Sequence, residues 1–176
     1  MCSSDLITGI AQTTEKFLNI KIGLYEFRDS YQQMSSSLDT LAKSYNGSGG
    51  NYTHMKQIIT ERYGADKLEK LLPIFTHKGH YPYEYMDGLD RFKETQLPPI
   101  DKFYSKLRNQ TITRDEYAEA LKNWDLLECK NLEDYHDAYL LADIGLLADI
   151  IEKYRSKCME LYQLDPLQYL TTCGHS

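Results

Sequence analysis

Between Ile20 and Phe27 apolar and polar residues nearly alternate, with Ile20, Ile22, Leu24 and Phe27 on the apolar beat. That period predicts one or two strands, with a hairpin around Gly23. Ser35, Ser36 and Ser37 then offer N-caps for a short helix through Leu38 and Leu41, ending before Asn46-Gly47. The Gly- and Ser-rich stretch from Asn46 to Gly50 reads as a loop. Residues 53–72 read as one or two helices interrupted at Gly64. From His77 to Pro99 the chain is rich in Tyr, Pro and Gly and holds no period, which predicts an ordered loop with few regular elements. A short helix is expected from Asp101 to Leu107. Thr113-x-x-Glu116 is a capping box opening a helix that carries Tyr117, Leu121 and Trp124. Asn131 caps a long helix whose apolar positions are Leu132, Tyr135, Leu140, Ile144, Leu147, Ile151, Tyr154, Cys158 and Leu161, and which stops before Asp165-Pro166. No internal repeat stands out. The expected fold is α+β and mostly helical, with a small share of sheet and a long C-terminal helix.

Composition narrows the picture. A chain of 176 residues, 41% of them hydrophobic, is long enough for one real core and is not a disordered tail. A net charge of −6 argues against free-standing, charge-driven nucleic-acid binding, which needs a Lys/Arg excess. It does not exclude a piece of a nucleic-acid enzyme, because metal-dependent nuclease sites are themselves built of carboxylates. Fifteen tyrosines serve either as amphipathic filler at half-buried positions or, on some of them, as stacking platforms for bases. Cys2, Cys129, Cys158 and Cys173 lie far apart and read neither as a zinc site nor as a disulfide framework. No apolar run reaches the ~18 residues of a membrane span, and the N-terminus lacks the basic start and apolar core of a signal peptide. An intracellular protein, nuclear or cytoplasmic, is expected. Three N-x-S/T sequons, at Asn46, Asn51 and Asn109, are then coincidental.

Three constellations could carry chemistry. Tyr139 and Asp143 are four apart on the long helix, so they share one face a turn apart. A carboxylate there can ligate a hard divalent ion, and a phenol beside it can hold the water that attacks a phosphodiester. The same pair also suits half-buried packing beside a solvated acid. Lys78, next to Gly79, can bring an ammonium to a developing phosphorane or leaving oxygen, or can simply be a surface lysine in a turn. Its neighbours His77 and His80 have no cysteine or acid at ligand spacing, which argues against a metal site. Ser30 and Tyr31, where the strand region ends, could hold phosphate and base of a single strand, or form an ordinary turn with a Ser cap.

These sites fall in the order of one family. Lys78-Gly-His-Tyr-Pro-Tyr-Glu-Tyr-Met-Asp87, Gln96-Leu-Pro-Pro99, Phe103-Tyr-Ser105, Asp134-Tyr-His-Asp137 and Tyr139-x3-Asp143-x2-Leu146-Leu-Ala-Asp149 resemble type-B DNA polymerases of the protein-primed kind, from viruses, organelles and Maverick/Polinton mobile elements. The stretches from Asp29 to Lys43 and from Leu164 to Thr172 resemble the same family, so the likeness covers residues 7–172. It implies the C-terminal part of a ribonuclease H-like 3′→5′ exonuclease domain with an incomplete sheet. It implies catalytic roles for Tyr139, Asp143 and Lys78, with Asp143 as ligand to Mg²⁺. It implies contact of Ser30 and Tyr31 with single-stranded DNA, although the family often carries Leu where this chain has Tyr31. The parent enzyme would act on DNA with a single-stranded 3′ end and on nucleotides.

Three departures follow. The family's first exonuclease motif, Asp-x-Glu, occurs nowhere in this sequence, and no palm motif is present. Gly145 stands mid-helix where the family usually carries an apolar residue, at a cost of roughly 1 kcal/mol relative to Ala. The expectation is therefore a partial polymerase, inactive alone. The alternative is a captured, non-catalytic binding or interaction module.

Overall fold

The computed structural model describes residues 7–11 and 17–169. The described residues form five α-helices, a small three-stranded antiparallel sheet and several 3₁₀ turns, so the fold is mostly helical α+β. They divide into two compact units, one holding residues up to Ser37 and from Ile151 onward, the other Leu38–Ile150. No helix among the described residues is long and apolar enough to cross a membrane.

In the first unit β1 (Ile7–Ala11), β2 (Phe17–Ile22) and β3 (Tyr25–Arg28) pair in sequence order. The β2–β3 hairpin turns at Gly23, whose positive φ of 59° suits glycine. β1 was not expected, because Gly9 and Thr8 break the apolar alternation there. Register sorts the side chains cleanly. The rows Ile7–Ile22–Tyr25 and Gly9–Ile20–Phe27 lie on one face, and Thr8–Lys21–Glu26 and Ile10–Asn19–Arg28 on the other. The apolar face stays open, with Ile7, Tyr25 and Phe27 all exposed. Arg28 donates to the carbonyls of Leu167 and Tyr169, and Gln33 Nε2 donates to the Tyr169 carbonyl at 2.6 Å, so this unit holds its own C-terminal stretch. Arg155 adds a two-pronged ion pair with Asp165, at 2.6 and 3.1 Å, and Asp165 in turn caps the 3₁₀ turn Pro166–Gln168.

The second unit is built from α1 (Leu38–Gly47), α2 (Thr53–Tyr63), α3 (Leu68–Phe75), α4 (Arg114–Leu126) and the first turns of α5 (Leu132–Tyr162). Gly64 ends α2 at φ 98°, as its place between two helical stretches predicted, and α3 runs on past Pro73. α1 includes Asn46 and Gly47, which were expected in the loop. The helix expected over Asp101–Leu107 is only a 3₁₀ turn, Ile100–Phe103, followed by a tight loop closed by the Ser105–Gln110 bridge.

The start of α2 is the least orthodox element. Its N-cap position is Tyr52, in the left-handed region at φ 53°, and a tyrosine side chain cannot cap the helix. The cap comes instead from α5. Asp149, with its side chain 1% exposed, accepts from His54 N at 2.9 Å, Met55 N at 3.0 Å and His54 Nδ1 at 3.0 Å. Nearby, Gly145 lets the two helices meet: a Cβ there would stand 2.7 Å from Met55 Cε and 3.1 Å from Ile58 Cδ1. The mid-helix glycine is thus explained by close packing, with Met55 wholly buried. The line α5 buries in this unit runs Leu132, Tyr135, Ala138, Ala142, Leu146 and Ile150. Leu140 and Ile144, expected inside, are 47% and 51% exposed, because small alanines rather than large residues mark the line of closest approach.

The tyrosines mostly behave as filler with a bonded tip. Those of Tyr45, Tyr52 and Tyr104 donate to the side chains of Asn51, Asn46 and Asn109, the three sequon asparagines.

Candidate functional site

Tyr139 and Asp143 stand on α5, whose start is fixed by a local cap: Asn131 Oδ1 accepts from Asp134 N at 3.0 Å, and Asp134 Oδ2 accepts from Lys130 N at 2.8 Å. Their side chains are hydrogen-bonded to each other across one helical turn. The His77–Tyr83 segment is laid against this face by aromatic contacts. The Tyr81 ring stacks on Tyr139 with centroids 4.8 Å apart, and the Tyr81 hydroxyl meets His136 Nδ1 at 2.7 Å. Tyr135 donates to the His80 carbonyl at 2.7 Å. Gly79 lies against the Tyr139 ring, where a Cβ would stand 3.4 Å from Cδ2. Tyr83 meets the Tyr139 hydroxyl at 2.5 Å, with the two rings perpendicular. Lys78 is thereby carried to the neighbourhood of Asp143, near enough for its charge to act on the carboxyl.

The electrostatics are uneven. Burial pushes the Asp143 carboxyl above its ordinary range, opposed by the Lys78 ammonium and by the hydrogen bond from Tyr139. Asp143 Oδ1 is buried and has no hydrogen-bond partner. Burial also raises the Tyr139 phenol strongly, followed by its bonds to Tyr83 and Asp143. Tyr81 is pushed up to about 12 for the first of these reasons. Proton accounting orients the chain. A carboxylate only accepts, so Tyr139 gives its single proton to Asp143 and must accept from Tyr83. Tyr139 keeps one lone pair for a further donor, and Lys78 supplies a cation beside it. Such an arrangement suits one polarised water, held by the free acceptors beside the cation.

The fit to Mg²⁺ is incomplete. The ion demands near-octahedral oxygen ligands, held by carboxylates. Here one carboxylate stands beside an ammonium and neutral phenols. Among the described residues no three His, Cys, Asp or Glu side chains gather to hold a metal. Orphaned Asp143 Oδ1 could serve as one ligand, but these residues do not complete the site.

Ser30 and Tyr31 lie in the first unit, in the 3₁₀ turn Ser30–Gln32 just after β3. Asp29 caps that turn by accepting from Tyr31 N at 3.0 Å, and the Tyr31 ring is exposed. Two features escaped the sequence reading. Tyr83 was seen only as part of a motif, and its bond to the Tyr139 hydroxyl spans fifty-six positions. Glu119, on α4, meets His77 Nε2 at 2.7 Å and His80 Nε2 at 3.8 Å, so an acid does reach both histidines, from a distance no local spacing could reveal.

A groove of about 400 Å³ between α2 and α5 is lined by Ile58, Glu61, Arg62, Asp137, Leu140 and Leu141, with an Arg62–Asp137 ion pair of 3.1 Å. It contains none of the candidate residues. No protein-family model matches this chain, and neither a curated protein nor a solved structure is found to be similar to it.

Proposed function

We propose that this chain is part of the 3′→5′ exonuclease domain of a type-B, protein-primed DNA polymerase, with a partial ribonuclease H-like fold. One observation carries the reading. Lys78, Tyr139 and Asp143, each singled out from sequence as a candidate for phosphodiester chemistry, converge on one spot from a loop and a helix. The roles follow from the chemistry of the groups. Lys78 neutralises the phosphate of the 3′-terminal linkage. Tyr139, fixed by Tyr83 and Asp143, orients a water through its remaining lone pair. Asp143 offers Oδ1 as one ligand to Mg²⁺, and Ser30 and Tyr31 receive the single strand. The missing Asp-x-Glu means this chain does not hold a two-metal set by itself.

The test is reconstitution. The chain alone should release no nucleotide from a 3′ end. Joined to the Asp-x-Glu segment of a type-B polymerase exonuclease domain it should do so with Mg²⁺, and Asp143→Ala should abolish the release. Hydrolysis undiminished in Asp143→Ala, or none from the joined enzyme, overturns the reading. The second reading, a non-catalytic interaction module, draws on the open apolar face of the sheet, where Tyr25 and Phe27 offer aromatic anchors.

A further inference from the structure

We propose that Glu119 is a positioning residue for Lys78, a clasp that holds the Lys78-Gly79 turn onto the Tyr139 ring through the two histidines that flank it. The inference rests on reading Lys78 as a site residue, but its geometry is separate from the site's chemistry. His77 and His80 bracket the turn on either side, and both direct Nε2 at the same carboxylate, at 2.7 Å to Oε1 and 3.8 Å to Oε2. A carboxylate only accepts, so His77 must present Nε2–H to it. The longer contact is within ion-pair reach of a protonated His80 ring, not a hydrogen bond.

The anchor is stiff. α4 carries Glu119 and is opened by a reciprocal capping box at Thr113 and Glu116. Its next residue, Ala120, is wholly buried in a cluster with Leu132 and Tyr135 of α5. The clasped end and the site end of the turn are therefore both referred to α5. Tyr135 reinforces this by donating to the His80 carbonyl. Among the described residues no ion pair fixes Lys78, whereas Gly79 lies beside the Tyr139 ring, where an added Cβ would stand 3.4 Å from Cδ2. A lysine has four rotatable bonds, so the position of its backbone decides how much of its time the ammonium spends near Asp143.

The test uses the full chain and two readouts. The first is NMR: the Gly79 α proton that points where a Cβ would stand faces the Tyr139 ring and should carry its ring-current shift. In Glu119→Ala, and in the His77→Ala/His80→Ala double variant, that shift should collapse by more than half and the Gly79–Tyr139 Overhauser contacts should vanish. Phe75 and Leu146 signals should stay in place, which shows the core intact. The second is binding of a single-stranded 3′-hydroxyl oligonucleotide, followed by fluorescence anisotropy. Removing an acid should strengthen binding of a polyanion on charge grounds alone. A weakening of about three- to tenfold in Glu119→Ala, against that trend, supports the clasp. Lys78→Met should weaken binding while leaving the Gly79 shift unchanged. If the wild-type chain alone binds no oligonucleotide, the Gly79 signal by itself decides the clasp, and the exonuclease reading is decided by the joined enzyme. An unchanged Gly79 shift in both Glu119→Ala and the double-histidine variant overturns it.

Discussion

Asp149 and Asp143 stand on one helix, less than two turns apart, and the fold treats them in opposite ways. Asp149 is buried and its oxygens are occupied by His54 and Met55, closing the start of α2. Asp143 is half-buried, one of its oxygens has no partner, and burial raises its pKa. A carboxylate that stabilises a fold is surrounded by donors. A carboxylate kept short of donors destabilises the fold slightly and keeps bonding capacity for something else. The contrast also separates the helix faces: Gly145 and Asp149 serve contact with α2, whereas Tyr139 and Asp143 serve the Lys78 turn.

The largest expected effect falls on the structural acid. Asp149→Ala leaves the His54 and Met55 amides at the start of α2 without acceptors and should lose about 3 kcal/mol in urea unfolding. Asp149→Asn keeps one acceptor oxygen and should lose less. If Asp149→Ala were no worse than Asp143→Ala, the contrast would collapse. Next is Gly145→Ala. It gains roughly 1 kcal/mol of helix propensity but overpacks Met55 and Ile58, at about 1–3 kcal/mol, for a net loss of about 1 kcal/mol. A double-mutant cycle with Met55→Ala should show a coupling of at least about 0.5 kcal/mol, since Met55 Cε is the group in the way. Simple additivity would mean the glycine is not there for this contact.

These two positions also mark where sequence was a poor guide. Local signals were legible: the hairpin at Gly23, the stop at Gly64, the Thr113–Glu116 box and the Asn131 cap all act within a few residues of themselves. So was the pair Tyr139 and Asp143, because helical spacing alone puts them together. What escaped was set by tertiary approach. The cap of α2 arrives from Asp149, ninety-five positions beyond His54. Glu119 reaches His77 across forty-two positions. The buried line of α5 follows Ala138 and Ala142, whose small size matters only once α2 is in place, so Leu140 and Ile144 looked more buried than they are.

The smallest effect is the sharpest test of how Asp143 is held. Asp143 has a folded-state pKa above its unfolded value, so the folded chain binds more protons between the two. Stability from this group is therefore greatest below the ordinary Asp value of about 3.9 and falls as pH rises toward the raised value, with the full penalty above it. Asp143→Asn should remove that penalty and be slightly more stable than wild type at pH 7, by no more than about 1 kcal/mol given the solvent screening of a half-buried group. Lys78→Met should act the other way. The ammonium lowers the Asp143 pKa, so its loss should raise the midpoint of the Asp143 carboxyl titration followed by ¹³C NMR, and should widen the pH window of the penalty. The variant should thus be less stable than wild type at pH 7 and equal to it at pH 3, where Asp143 is protonated folded or unfolded. An equal deficit at both pH values would mean that Lys78 contributes by packing and not by its charge. An Asp143 midpoint that does not move would separate Lys78 from the site altogether, leaving Tyr139 to hold the carboxyl.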